Sequence, residues 1–128
     1  MGERLGPERR IKKPSEFDKV FRRGLSASSR EMAVYAVARS DGGPPRLGLA
    51  VGRKAGNSVE RSTVKRRLRA VFRKKASGIG PVDVVTVARA GVVRMTYKDL
   101  ENTFLRLISE SLKRAGSRAS VSAESEQK

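Results

Sequence analysis

The chain of 128 residues contains no cysteine, no histidine and no tryptophan. Without cysteine there are no disulfides, thiolate metal ligands or thiol nucleophiles, and a reducing compartment is permitted. Without histidine there is no imidazole to serve as a general base or as the usual zinc ligand. Acids are scarce too: 13 Asp and Glu stand against 29 Lys and Arg, a formal net charge of +16. The acids Glu16, Asp18, Glu31, Asp41, Asp83, Asp99 and Glu101 show no tight metal-ligand spacing, which argues against a self-contained metallonuclease. No apolar run approaches the roughly twenty residues of a membrane span, and the N-terminus lacks the apolar segment of a signal peptide, so a cytoplasmic protein is expected.

What is present fits one modest domain. A hydrophobic fraction of 38% can fill a single core. Residues 1–13 are polar, basic and without apolar period, and are expected to form a flexible basic arm. A helix is expected from Ser15 as cap to Gly24, with Phe17, Val20 and Phe21 on one stripe. Residues 32–37 and 46–51 read as strands and, across a turn-rich linker, as an antiparallel hairpin. The more continuously apolar segment 82–88 belongs in the interior of the sheet.

Between the last two runs a helix is expected from about Ser58 to Lys75, with Asn57 as cap, Glu60 completing a capping box, and Val64, Leu68, Val71 and Phe72 facing the core. A final helix opens at Thr96, buries Leu100, Phe104, Leu107, Ile108 and Leu112, and stops at Gly116. The expected order is α-β-β-α-β-α, an α+β fold with room for a short extra strand after the first helix. Residues 14–115 form the single domain and 116–128 a disordered tail.

The charge is unevenly spread. Residues 53–75 hold ten of the basic side chains and one acid, Glu60, so a segment of 23 residues carries more than half of the net charge. Arg61, Lys65, Arg69 and Arg73 recur every four residues and form one ridge. A helix face that only has to be solvated gains about 0.2–0.5 kcal/mol for each Glu–Lys pair, and this one forgoes them and favours Arg, whose fork matches phosphate oxygens. Upstream, Gly52-Arg53-Lys54-Ala55-Gly56-Asn57 is a glycine-containing turn whose amides can be read as a phosphate cradle or as an ordinary tight turn. Phe17, Phe21 and Tyr35 can border a groove in which unpaired bases stack, or can pack in the core; patterning leaves both open.

The segment Arg46-Leu47-Gly48-Leu49-Ala50-Val51-Gly52-Arg53-Lys54-Ala55-Gly56-Asn57-Ser58-Val59-Glu60-Arg61-Ser62-Thr63-Val64-Lys65-Arg66-Arg67-Leu68-Arg69 resembles the signature of the bacterial ribonuclease P protein family. Phe17 to Gly24 resembles that family's first helix, and Asp83 to Arg89 its strand ending in Ala-Arg. Met95-Thr96-Tyr97 resembles the start of its last helix. The likeness covers about residues 9–114, with one departure: Arg61-Ser62-Thr63 stands where the family usually reads Arg-Asn-Arg. The resemblance implies a ribosomal-protein-S5-domain-2-like fold with a left-handed crossover between parallel strands. It implies a ribonucleoprotein endonuclease that removes the 5′ leader of precursor tRNA, in which the RNA subunit is the catalyst and the protein alone is inactive. The implied cofactors are that catalytic RNA and divalent metal, magnesium, held mainly by RNA; the implied partners are ribonuclease P RNA and precursor tRNA, with no membrane and no small-molecule ligand. Arg53, Lys54, Asn57, Arg61, Lys65, Arg66, Arg69 and Arg73 are the expected contacts to the RNA subunit. Phe17, Phe21 and Tyr35 are the expected contacts to the leader; no catalytic and no metal-binding residue is expected in the protein. Composition alone equally admits a ribosomal or RNA-chaperone protein, which would use the same phosphate contacts.

Overall fold

The computed structural model describes residues 9–39, 42–75 and 79–127, the last thirteen of these by their backbone only. Helix α1, Pro14–Arg23, starts at a proline whose fixed φ suits the first helical position. Lys13, not Ser15, is the capping residue, and its carbonyl accepts the Phe17 N–H at 3.1 Å. The helix ends where the Gly24 N–H reaches the Val20 carbonyl at 2.8 Å. A Cβ on Gly24 would lie 2.9 Å from that carbonyl oxygen and 3.3 Å from the one of Ala36, so glycine is required by close approach, its φ of −80° being ordinary.

Four strands follow: β1 Leu25–Ser28, β2 Met32–Ala38, β3 Arg46–Val51 and β4 Val82–Ala88. Between β3 and β4 lies helix α2, Ser58–Lys75, and after β4 comes helix α3, Tyr97–Gln127. The sheet order is β1-β2-β4-β3, with β4 antiparallel to β2 and parallel to β3. The expected hairpin of β2 with β3 is therefore replaced by two pairings that both use β4. The most apolar strand gains most from neighbours on both sides, and the linker after β2 is long enough to step across it. Strand β1 is the extra strand, joined to β2 by a turn in which Ser29 Oγ accepts the N–H groups of Glu31 and Met32.

The sheet separates two layers. Met32, Val34, Leu47, Val51, Val82 and Val84 face α2 and α3 and join Val64, Leu68, Val71, Phe72, Leu100, Phe104, Leu107 and Ile108 in the main core. On the opposite face α1 sets Val20 over Val85, with Ile11 completing a smaller cluster. Ser111, fully buried on α3, accepts the Ala36 N–H at 2.8 Å and donates to the Leu25 carbonyl, which fixes α3 to the β1–β2 pair.

Two boundaries differ from expectation. Residues 9–11, placed in the flexible arm, are docked: the Ile11 N–H donates to the Leu47 carbonyl at 3.0 Å, Arg10 bridges to Leu47 in parallel fashion, and Ile11 is buried. The buried Ile11 side chain, its backbone bond and the contact of Arg9 with the Pro45 carbonyl hold this short extension on the sheet edge. The rest of the arm, residues 1–8, lies outside the described residues. Helix α3 continues past Gly116 to Gln127 in place of the expected disordered tail, and residues 117–127 contain neither glycine nor proline to stop it. No helix among the described residues is long and apolar enough to cross a membrane.

Candidate RNA interface

Strand register shows how the aromatic residues come together. Tyr35 lies opposite Val85, which lies opposite Gly48, and α1 crosses this row. Phe17 rests on Gly48, where a Cβ would come within 2.9 Å of the ring, so the absent side chain lets the helix settle close. Phe21 meets Tyr35 edge to face with centroids 4.9 Å apart and lies 6.4 Å from Phe17. Phe17 and Tyr35 are half-buried and Phe21 is 37% exposed, so the cluster is a surface feature anchored in the smaller core. Beside it the same face carries the short side chains of Ser28, Ala33, Val87 and Ala50, one per strand.

On the other side of α1 the face is ionic. Arg46 donates to both Asp83 oxygens at 2.8 Å and to Glu16 at 2.8 Å, and Arg39 lies 3.8 Å from Asp83. Hydrogen bonding to Asp83 raises the Arg46 pKa above its ordinary value, against the opposing effect of burial and with further help from Glu16. Burial raises the Glu16 pKa, but its bond to Arg46 and the neighbouring positive charges outweigh that, leaving it below the usual carboxylate value. Asp83 is thus a structural acid that ties β4 to β3, as an isolated acid on an apolar strand suggests.

The basic segment begins at the strand ends and runs behind the sheet. Arg53 and Lys54 stand exposed in a 3₁₀ turn, Arg53–Ala55, after β3. Asn57 and Glu60 form the expected capping box: the Glu60 N–H donates to Asn57 Oδ1 at 2.8 Å and the Asn57 N–H to Glu60 Oε1 at 2.9 Å. The Ala55 and Gly56 N–H groups are also used, by the Gly52 and Arg53 carbonyls. The reading of this turn as an amide cradle for phosphate is accordingly corrected at these four amides. The turn offers the side chains of Arg53 and Lys54, and Asn57 commits its oxygen to capping. Of its two glycines only Gly56, at φ +153° and hard against Glu60, requires the residue type.

Along α2, Arg66 is exposed, whereas Arg61, Lys65, Arg69 and Arg73 are half-buried beside the apolar stripe. Thr63, at the position that departs from the family pattern, turns its hydroxyl back to the Val59 carbonyl at 3.0 Å. Burial lowers the Arg69 pKa, and the nearby charge of Arg10 lowers it further. Arg10, which sequence patterning placed in the flexible arm, is docked on the edge of the sheet. The available signal was Ile11, a single apolar residue among cations, which at period two sends Arg10 to the opposite side. The structure therefore gathers Phe17, Phe21 and Tyr35 on one face and lays the eight polar positions along one continuous segment reaching the other.

Residues 5–112 match the family model described as Ribonuclease P. The chain belongs to the ribonuclease P protein family. It is 38% identical over 103 residues to the ribonuclease P protein component of Geobacillus sp. (strain WCH70), covering 80% of this chain and 89% of that one. It is 34% identical over 100 residues to that of Listeria innocua, covering 77% and 84%. The Staphylococcus aureus RNase P protein superposes with a TM-score of 0.72 at 31% identity, over 79% of this chain and 93% of that one. As a family member the chain is a non-catalytic subunit that assists the catalytic RNA in removing the 5′ leader of precursor tRNA. The enzyme depends on that RNA and on RNA-bound magnesium. Among the described residues no three His, Cys, Asp or Glu side chains gather as a metal site.

Proposed function

We propose that the two sides of the sheet divide the work of the subunit. Arg53, Lys54, Asn57, Arg61, Lys65, Arg66, Arg69 and Arg73 dock on the folded RNA subunit, and Phe17, Phe21 and Tyr35 receive the single-stranded leader. The observation that carries this reading is the separation itself: a cationic segment with one acid, already used as a cap, runs behind the sheet, while an uncharged aromatic cluster with an exposed ring lies in front. Cationic side chains bind phosphates by displacing counterions, and the same neutralisation lowers the divalent ion needed to bring two RNA strands together. Aromatic faces bind unpaired bases with little regard to sequence.

Cleavage of precursor tRNA at low magnesium, with a matched RNA subunit and with and without the protein, tests the whole assignment. RNA-dependent cleavage is expected to be rescued by the protein, with none from the protein alone. Phe21→Ala is expected to weaken leader binding by about 1–3 kcal/mol with the salt slope unchanged. An unchanged leader affinity in the folded variant overturns the aromatic half.

A further inference from the structure

The extension at residues 9–11 does more than close an edge. Arg9 holds it at one end, its Nε donating to the Pro45 carbonyl at 3.5 Å and its guanidinium lying 6.0 Å over the centre of the buried Phe72 ring. Ile11 holds it at the other through its backbone bond to Leu47. Arg10 lies between these two anchors; Ile11 packs with Val20 on the α1 side, which turns Arg10 to the opposite side, where Arg9 reaches Phe72 about one turn of α2 beyond Arg69. Its Nε is buried and has no hydrogen-bond partner among the described residues, and no carboxylate there pairs with Arg10 or Arg69. Two turns earlier on α2, the Arg61 Nε is likewise buried and unpartnered.

A fold that assembles like charges in a partly dry place loses stability unless an anion joins them. The sequence had simple remedies, a Glu or Gln at either position or carboxylate partners of the kind Arg46 has in Asp83 and Glu16. We infer that Arg10, on the docked extension, and Arg69, about one turn before Phe72 on α2, form a two-guanidinium seat for one phosphodiester of the RNA subunit. The inference rests on the proposed docking of α2 and adds the extension to it. Two planar forks converging on one phosphate supply paired, charge-assisted hydrogen bonds that a mobile arm cannot preorganise.

The test uses the full chain and a matched RNA subunit, with Arg10→Gln, Arg69→Gln, the double variant and Arg53→Gln as reference. Arg10→Gln is expected to raise the Kd about tenfold at low salt and to flatten the log Kd against log salt slope by about 0.7–0.9. The double variant is expected to lose less than the two single losses combined, because both side chains share one phosphate. The free Arg10→Gln protein is expected to melt at a higher temperature, since the repulsion is relieved; a contact that merely supports the fold would move stability the other way. Slowed exchange of the Ile11 amide reports that the extension is still docked. Should it detach, Arg10→Lys decides: it keeps the charge but not the fork, and is expected to keep the slope and lose affinity. Wild-type Kd and slope in docked Arg10→Gln, with Arg53→Gln weakened, overturn the seat and leave the α2 interface standing. Wild-type affinity in both overturns the interface and the seat together.

Discussion

Helices α2 and α3 lie on the same face of the sheet and contribute equally to one core, yet their outer sides are built on different rules. On α3 five basic residues stand against five acidic ones, and Arg106 reaches Glu110 one turn on at 2.8 Å. On α2 the single acid is spent on the cap, and the remaining charges are all positive. Both sequences satisfy the same inner requirement, a stripe of apolar side chains at helical spacing. The difference lies in what each expects outside: α3 is balanced for water and α2 is left unbalanced for a polyanion. An electrostatic defect tolerated over several turns is more informative about function than the total charge, because composition alone cannot say where the imbalance is kept.

The sharpest way to break the contrast is to give α2 the pattern of α3. Arg61→Glu with Arg69→Glu creates opposite-charge pairs with Lys65 and Arg73 at a spacing of four, and is expected to leave urea stability unchanged or slightly raised. Affinity for the RNA subunit is expected to fall by about 3–6 kcal/mol, measured by titration at fixed salt. Arg46→Ala is the converse case, an arginine whose partners are within the protein. It is expected to cost about 3 kcal/mol of unfolding free energy, because Asp83 is left nearly buried without its fork. RNA-subunit affinity of the folded variant should be unaffected. Arg106→Ala, on the balanced helix, serves as the control and should change either quantity by no more than about 0.5 kcal/mol.

The smallest effect concerns pH. Because Arg46 keeps the Glu16 carboxyl below its ordinary value near 4.5, the pairing contributes stability above that pH, and the contribution is lost as pH falls through the lowered folded value. Glu16→Gln is expected to lower the unfolding free energy from urea titration slightly at neutral pH, by under about 1 kcal/mol, and to flatten its decline below pH 4.5.

Local features were the legible ones. The apolar stripe of α2, its Asn57–Glu60 box, the Thr96 cap of α3, whose hydroxyl accepts the Asp99 N–H at 3.1 Å, and the interior place of β4 all follow from neighbours within a few residues. The aromatic trio could be suspected from spacing, but its assembly needed the sheet register. Strand order was misread because pairing partners dozens of residues apart are chosen by competition for burial, which no local pattern encodes. Strand β1, Leu-Ser-Ala-Ser, has too little apolar content to announce itself and is held by β2 and by Ser111. The Arg46–Asp83 tie spans 37 positions and was invisible for the same reason. Arg10 was missed because a polar segment with one isoleucine resembles a tail until a sheet edge is there to receive it.

That sheet has two outer strands, each with a row of backbone groups able to recruit a foreign strand. Each is covered in part. On β1, the Arg114 guanidinium covers the Ser26 carbonyl and Ser111 the one of Leu25; on β3, the docked extension occupies Leu47. At these positions an incoming strand meets a partner already in place. The partly covered edges and the mutual repulsion of copies at a net charge of +16 both act against edge-to-edge pairing.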